Sequence, residues 1–112
     1  MQLTVIRADD SITHVAMLGR LDIEGVNQVQ DRFVFQVTAR HKDALVDLSQ
    51  VTFIASLGMG MLVSAAKALQ RQGARMVLLA PTYMVEQALS AAGINHVIPI
   101  AHAEEEALQR LR

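Results

Sequence analysis

Two short, almost wholly apolar runs constrain the fold of this chain more than any other feature. Residues 44–48 (ALVDL) are bounded by polar residues, residues 75–79 (RMVLL) are followed by Pro81, and both runs have the length of buried strands. Between them, apolar residues recur every three or four positions, which predicts a helix with one apolar face. That face comprises Met59, Leu62, Val63, Ala66 and Leu69, and Gly73 supplies a helix stop. Strands joined by a helix favour a parallel sheet with right-handed crossovers.

The N-terminal part of the chain predicts a hairpin followed by a helix. Residues 2–7 and 12–18 are rich in β-branched side chains and flank turn-forming residues at 8–11, which is typical of an antiparallel hairpin. Asp22 can cap the helix that follows, because its carboxylate can accept free backbone N–H groups. The apolar residues of this helix step by three and four, and we expect them to be buried: Ile23, Val26, Val29, Phe33 and Val37.

The C-terminal part continues the alternation. We expect a third helix over 82–92, closed by Gly93, and a short strand over 97–100, which Pro99 places at an edge or a strand end. A last helix follows from residue 104. The sequence therefore predicts one α/β domain over residues 1–112, in the order ββαβαβαβα. It has a mostly parallel central sheet, an N-terminal antiparallel hairpin and about four helices.

Composition excludes several classes of function. The chain has 112 residues, 52% of them apolar, and a formal net charge of -1, which argues against disorder and against a nucleic-acid binder. The absence of cysteine excludes thiol chemistry, iron–sulfur clusters and cysteine-based zinc sites. We see no signal peptide and no apolar stretch of about 18–20 residues. We therefore expect a soluble cytoplasmic domain without a membrane partner.

One segment, residues 55–60 (ASLGMG), has the composition of a functional site. Ser56 lies where a loop becomes a helix, and its hydroxyl is expected to cap that helix by accepting an N–H from Gly58 or Met59. Gly58 and Gly60 fall in the first turn, where each glycine costs about 1 kcal/mol relative to alanine. Their presence indicates the close approach of a neighbouring backbone or a partner, or the exposure of N–H groups to an anion.

Three familiar motifs do not fit this segment. A dinucleotide fingerprint lacks its third glycine, and a hydrolase elbow would need glycine where Ile54 stands. A phosphate-binding loop lacks its lysine, because Lys67 lies about three turns down the helix. Two interpretations remain: an ordinary helix cap, or a serine that is phosphorylated.

Phosphorylation of Ser56 would affect the free protein and a complex differently. The phosphate adds about -1.5 to -2 charges at a helix N-terminus, where the helix dipole gains roughly 0.3–1 kcal/mol from a negative group. A partner that covered the same surface would have to bury an unpaired dianion. That burial would weaken binding on the order of a hundredfold or more.

Residues 44–73 resemble the STAS domain of bacterial anti-sigma factor antagonists, and the resemblance extends over nearly the whole chain. It includes residues 19–22 (GRLD), 73–78 (GARMVL) and 89–94 (LSAAGI). The family motif Asp-Ser-Ser/Thr-Gly-Leu-Gly is similar to residues 55–60, so Ser56 falls on the family's phosphoacceptor. Ala55 replaces the family's aspartate and Leu57 replaces its second hydroxyl residue.

The resemblance implies a partner-switching mechanism. The unphosphorylated antagonist binds an anti-sigma factor with a serine-kinase fold and so frees the sigma factor. The kinase phosphorylates Ser56, the complex dissociates, and a serine phosphatase restores binding. ATP and Mg²⁺ belong to the partner, so this chain needs no catalytic residue, metal or cofactor. The docking face implied by the resemblance comprises Asp22, Ala55, Ser56, Leu57, Gly58, Met59 and Gly60.

Two other functions remain open. Ala55 is compatible with a STAS module that is not phosphorylated, acting as a scaffold or as a subunit of a lipid-transport or signalling complex. An enzyme with Ser56 as nucleophile would need a base, and none is evident. Asp47 could lie near Ser56 at a strand end, or bond to local backbone. The four histidines are dispersed without metal-binding spacing and are expected at surface or edge positions: His14, His41, His96 and His102.

Overall fold

The computed structural model describes all 112 residues and contains one five-stranded sheet. Its strands follow chain order across the sheet: β1 Gln2–Ala8, β2 Ile12–Leu21, β3 Asp43–Ile54, β4 Met76–Leu79 and β5 Ile100–Ala101. The pair β1–β2 is antiparallel and every other neighbouring pair is parallel. The predicted fold class and element order are confirmed.

Four helices cover the two faces of the sheet: α1 Ile23–Phe33, α2 Ser56–Arg71, α3 Tyr83–Ala91 and α4 Glu104–Arg110. Side chains of α1, α2 and α3 join the larger apolar cluster of 24 buried residues on one face. A second cluster of six residues lies on the other face and includes Ala107 of α4. Neighbouring strand residues point to opposite faces, so Val46 enters the larger cluster and Leu45 the smaller one.

Strands β3 and β5 differ from the prediction in their bounds. Strand β3 runs to Ile54 instead of ending at 48, because its parallel pairing with β2 continues as far as Leu21 and Ile54. The strand expected over 97–100 is reduced to Ile100–Ala101. A 3₁₀ turn at Ile94–His96 precedes it, and Pro99, which has no N–H to donate, contributes only its carbonyl to Leu78. The edge position of this strand is as expected.

Helix α1 continues into a wide turn at Val34–Thr38. The N–H of Ala39 donates to the carbonyl of Val34, five residues earlier, at 3.1 Å. This turn keeps Phe33 and Val37 fully buried while Phe35 is exposed.

None of the helices has the length and apolarity that crossing a bilayer requires.

The prediction for His14 is wrong, whereas His41, His96 and His102 are exposed as expected. His14 is buried in β2, since α4 packs over that part of the sheet. Its Nδ1 lies 3.7 Å from a carboxylate oxygen of Glu104, and its Nε2 has no hydrogen-bond partner.

The β1–β2 turn is organised by the carboxylate of Asp9. It accepts the backbone N–H groups of Ser11 at 2.9 Å and Ile12 at 3.0 Å, and the guanidinium of Arg7 at 2.6 Å. The bond from Arg7 first, and then the bonds from Ser11 and Ile12, hold the pKa of Asp9 well below its usual range. Arg40, which follows α1, donates to the carbonyls of Asp9 and Ile12 and so ties this turn to the helical layer.

We expect Asp9→Asn to reduce the sensitivity of the fold to acid. The pKa of Asp9 is lower in the folded than in the unfolded chain, so its contribution to stability is fully present above about pH 4. That contribution is lost as the pH falls toward the folded-state pKa. Thermal unfolding should therefore show a lower Tm for the variant at pH 7 and a difference from wild type that narrows between about pH 4 and pH 2.

The matched control is Asp10→Asn, because the neighbouring carboxylate of Asp10 makes no hydrogen bond or ion pair and is exposed. It should leave the pH profile of the Tm as in wild type. Parallel profiles for Asp9→Asn and wild type would contradict this account of the turn.

Candidate docking site around Ser56

Ser56 is the first residue of α2, one residue after the N-cap Ala55 that follows β3, and it is exposed. The predicted capping role of Ser56 is wrong: the N-cap residue is Ala55, and no side chain caps the helix. The helix begins one residue earlier than expected, because the N–H of Met59 donates to the carbonyl of Ala55 at 3.0 Å. The hydroxyl of Ser56 therefore forms no hydrogen bond within the chain and faces solvent.

The first backbone N–H groups of α2 are not capped by a side chain. The first N–H groups of a helix have no intrahelical acceptor, and they carry part of the positive end of the helix dipole. At two other helices side chains satisfy such groups: Asp22 caps α1 and Thr82 caps α3, whereas the short helix α4 begins after Ala103 without a side-chain cap. At α2 the methyl group of Ala55 cannot do so. An anion attached to Ser56 would lie beside N–H groups that no other acceptor of the chain occupies.

Asp22 lies next to this position, directly after the end of the neighbouring strand β2. Leu21 and Ile54 are partners in the parallel β2–β3 register, and the carbonyl of Leu21 accepts the N–H of Ala55 at 2.9 Å. Asp22 and Ala55 are the next residues along the two strands, so the structure brings together two parts of the predicted docking face.

The carboxylate of Asp22 caps α1 as predicted. It accepts the N–H of Gly25 at 2.8 Å, and this bond is the main reason that the pKa of Asp22 is lowered. Its second oxygen lies 3.4 Å from Nε of Arg20, whose guanidinium stacks over the ring of Phe53 at 4.4 Å. Sequence reasoning missed Arg20 and Phe53, because only the β2–β3 register pairs them.

The two glycines of the motif have different environments. A Cβ on Gly58 would lie 2.8 Å from Cγ of Leu21 and 2.9 Å from its carbonyl oxygen, so Gly58 allows α2 to pack closely on the end of β2. A Cβ on Gly60 would meet no atom within 4 Å. Gly60 instead borders an open groove of about 400 Å³ between α1 and α2. The chain's own packing therefore explains Gly58 but does not explain Gly60.

Helix α2 buries a face that differs in part from the prediction. The predicted face is only partly right: Leu62 and Leu69 are buried, but Met59, Val63 and Ala66 are partly exposed. The buried residues of α2 are Gly58, Met61, Leu62, Ala65 and Leu69. The prediction omitted Gly58, Met61 and Ala65, which lie one or two positions from the residues it named. Met59 packs against the core and keeps part of its side chain exposed, as expected.

Five large apolar side chains are exposed at the carboxyl edge of the parallel strands, where α1, α2 and α3 begin. We call this set the apolar patch: Ile23 65%, Phe53 39%, Leu57 47%, Tyr83 76% and Met84 75% exposed. The expected burial of Ile23 is wrong, since it precedes the buried stripe of α1 that starts at Gly25 and Val26. Sequence reasoning also missed Tyr83 and Met84. Their exposure could have been inferred from their position, because both lie outside the buried stripe of α3, which contains Val85 and Leu89.

Asp47 takes no part in the site. It lies within β3, seven residues before Ile54. In an extended strand, seven residues separate the two Cα atoms by more than about 20 Å. Its carboxylate accepts the N–H of Ser49 at 2.8 Å, which is the local backbone bond considered from sequence. No side chain that could act as a base is hydrogen-bonded to Ser56, so the geometry that activates a serine nucleophile is not formed.

The contrast between Gly58 and Gly60 predicts opposite effects of the same substitution. We expect Gly58→Ala to lower the free energy of unfolding by about 1–3 kcal/mol, because the added methyl group overlaps Leu21. Gly60→Ala should raise it by about 0.5–1 kcal/mol, because alanine is the better helix former and the space is open. Urea unfolding of both variants measures the difference, and equal effects at the two positions would contradict the packing described here.

Comparison with known proteins supports this description of the fold. Residues 4–107 match the model of the STAS domain. An anti-sigma factor antagonist from Mycobacterium paratuberculosis has a TM-score of 0.84 at 19% identity, covering 99% of this chain and 95% of that chain. An anti-sigma-factor antagonist (STAS) domain protein from Planctomyces limnophilus has a TM-score of 0.81 at 24% identity, covering 98% and 97%.

The Bacillus cell fate determinant SpoIIAA, solved in its phosphorylated form, has a TM-score of 0.71 at 20% identity, covering 99% of this chain and 100% of that chain. No curated protein sequence matches the chain. At these identities the structures establish the shared fold. The match to the STAS model runs from within β1 to within α4 and so spans nearly the full length, and this chain belongs to the STAS domain family.

Proposed function

We propose that this protein is a cytoplasmic anti-sigma factor antagonist that binds an anti-sigma factor with a serine-kinase fold and is released when Ser56 is phosphorylated. The observation that carries the proposal is the exposed Ser56 hydroxyl. It has no partner in the chain, it stands at an uncapped helix N-terminus, and exposed apolar side chains share its edge of the sheet.

The apolar patch supports docking at this edge. Exposed apolar side chains that cluster on one surface are typical of protein–protein interfaces, and tyrosine and methionine are enriched there. Helices α1, α2 and α3 each contribute, since all three begin at the carboxyl ends of parallel strands. The α3 N-terminus is held against β3, where the Thr82 hydroxyl lies 3.5 Å from the carbonyl of Val51. The surface is therefore formed by rigid elements and needs little ordering on binding.

The charge switch follows from the position of Ser56. In the free protein a phosphate would face solvent and the N–H groups of the first turn, an arrangement that the helix dipole favours. In the complex the same dianion would be enclosed by a partner beside exposed apolar residues such as Leu57, without a paired cation. The modification therefore lowers affinity without requiring a change of fold.

Ala55 has a definite physical effect in this scheme. An aspartate at this position, as in the family pattern, would place a carboxylate next to the phosphate and would compete for the same N–H groups. Ala55 removes that repulsion and leaves the acceptor hydroxyl in place. It also removes a carboxylate that could orient the serine, so the modification depends more heavily on groups that the partner supplies.

The same two departures from the motif favour a second candidate function. With Ala55 and the exposed Leu57 in place of polar residues, the surface is more apolar than the family motif. A surface of this kind suits constitutive association, as a scaffold or as a subunit of a lipid-transport or signalling complex. The two functions use the same docking surface and differ in whether Ser56 is modified.

Phosphorylation at Ser56 is the first test. The protein is incubated with kinase-fold anti-sigma factors encoded near its gene, together with Mg-ATP, and analysed by intact-mass and peptide mass spectrometry. We expect one phosphate per chain, located on Ser56 and absent from Ser56→Ala. A stable complex with such a factor but no modification would favour the constitutive function. A phosphate on another residue would contradict the proposed switch.

Phosphomimetic variants test the effect on binding. Ser56→Asp and Ser56→Glu should weaken the complex by about tenfold to a hundredfold, because they place a charge inside the interface. Their Tm should stay within a few degrees of wild type or rise, because the charge lies at a helix N-terminus. Calorimetric titration and thermal unfolding measure the two quantities.

Ser90→Asp is the matched control, since Ser90 is exposed near the opposite end of α3. This variant should bind as wild type does. Unchanged affinity for both Ser56 variants would refute the charge switch.

A further inference from the structure

A second concave site lies at the amino-terminal edge of the parallel strands, opposite Ser56. It has a volume of about 500 Å³ and is lined by parts of α2, the connection to β4, the segment before β5 and the end of α4. This volume lies within the range of small-molecule sites. Helix α2 has 16 residues, so its length alone separates the two ends by about 24 Å.

Three cationic residues from three different segments line this pocket: Lys67 of α2, Arg75 before β4 and Arg110 of α4. None of the three forms an ion pair or donates a side-chain hydrogen bond in the chain. No aspartate or glutamate lines the pocket. The carboxylate of Asp43 accepts the backbone N–H of Arg75 at 2.9 Å but is not among the lining residues.

Helix dipoles explain only part of this arrangement. Arg110 ends α4, and Lys67 lies about one turn before the end of α2, so both can interact with the negative end of a helix. Arg75 belongs to no helix, since it directly precedes β4 and follows the α2 stop at Gly73. Arg75 nevertheless lines the same cavity as the other two cations. Three like charges around one concavity repel one another, and a bound anion would relieve that repulsion.

The other residues that line the pocket indicate the chemistry of the uncharged part of the ligand. Val97 is 52% exposed and lines the pocket with Pro99, so apolar surface lies beside the cations. The amide of Gln70 adds a neutral hydrogen-bonding group. A phosphate monoester carries about -1.5 to -2 charges, and guanidinium groups bind its oxygens in pairs. A carboxylate carries one charge and matches three cations less well.

We infer that this pocket, formed by Lys67, Arg75 and Arg110 beside Val97 and Pro99, binds a small soluble phosphate monoester with an apolar or aromatic body. Its concave shape fits a free molecule better than a headgroup in a flat bilayer. The inference does not depend on the proposed function of Ser56, because it uses none of the same residues.

Phenyl phosphate is the probe that tests this site. In a titration followed by ¹H–¹⁵N correlation spectra, we expect saturable shifts of the backbone amides of residues 66–77 and 97–98. Arg75→Gln and Arg110→Gln should each weaken binding by about tenfold, because each removes a charge-assisted hydrogen bond. Arg32→Gln, which changes an exposed arginine of α1 outside the pocket, should bind as wild type does. The spectra of the free variants verify that each one is folded.

Titrations with two further compounds test which chemical groups of the ligand are recognised. Inorganic phosphate and benzoate represent the two halves of the probe, and both should bind at least about tenfold more weakly than phenyl phosphate. Four outcomes would overturn the inference: no saturation, shifts spread over all basic residues, benzoate binding as tightly as phenyl phosphate, or equal affinity in the pocket variants and Arg32→Gln. Binding to vesicles that contain phosphatidic acid without binding of phenyl phosphate would also overturn it and would assign the cations to a membrane surface.

Discussion

The position of Ser56 depends on Leu21, the last residue of β2. Its fully buried side chain and its carbonyl fill the space beneath Gly58, and the same carbonyl accepts the N–H of Ala55 at 2.9 Å. One residue therefore fixes both the end of β3 and the depth at which α2 packs. Because this packing is tight, the first turn of α2 has little freedom, and the serine is presented to solvent at a defined place on a rigid edge.

The elements that the sequence predicts well are those in which local pattern and tertiary environment agree. The hairpin, the cap at Asp22 and the order of strands and helices each follow from a few neighbouring residues. The length of β3 could not be predicted in the same way, since residues 49–54 mix polar and apolar types. They become a strand because β2 extends beside them. Strand pairing is a long-range interaction that no local window contains.

The start of α2 was predicted to within one residue, but its local geometry was not. The composition of residues 55–60 indicated a helix start at this serine, whereas the absence of a cap depends on a shift of one residue in the start of α2. The burial of Gly58 and Ala65 in place of Met59 and Val63 reflects close packing, which favours small residues at points of contact. Likewise, the exposure of Tyr83 and Met84 is a property of how α3 lies on the sheet. Residue hydrophobicity alone would have placed both inside the protein.

The uncapped first turn of α2 has a consequence for how long a signal would last. Backbone N–H groups that lack an internal acceptor would hold the oxygens of a phosphoserine at position 56, and no carboxylate at position 55 would push them away. A phosphatase would have to draw the ester out of these bonds before hydrolysing it. Under the proposed switch, the lifetime of the modified state would then be set in part by this protein itself, through the residue that precedes its serine.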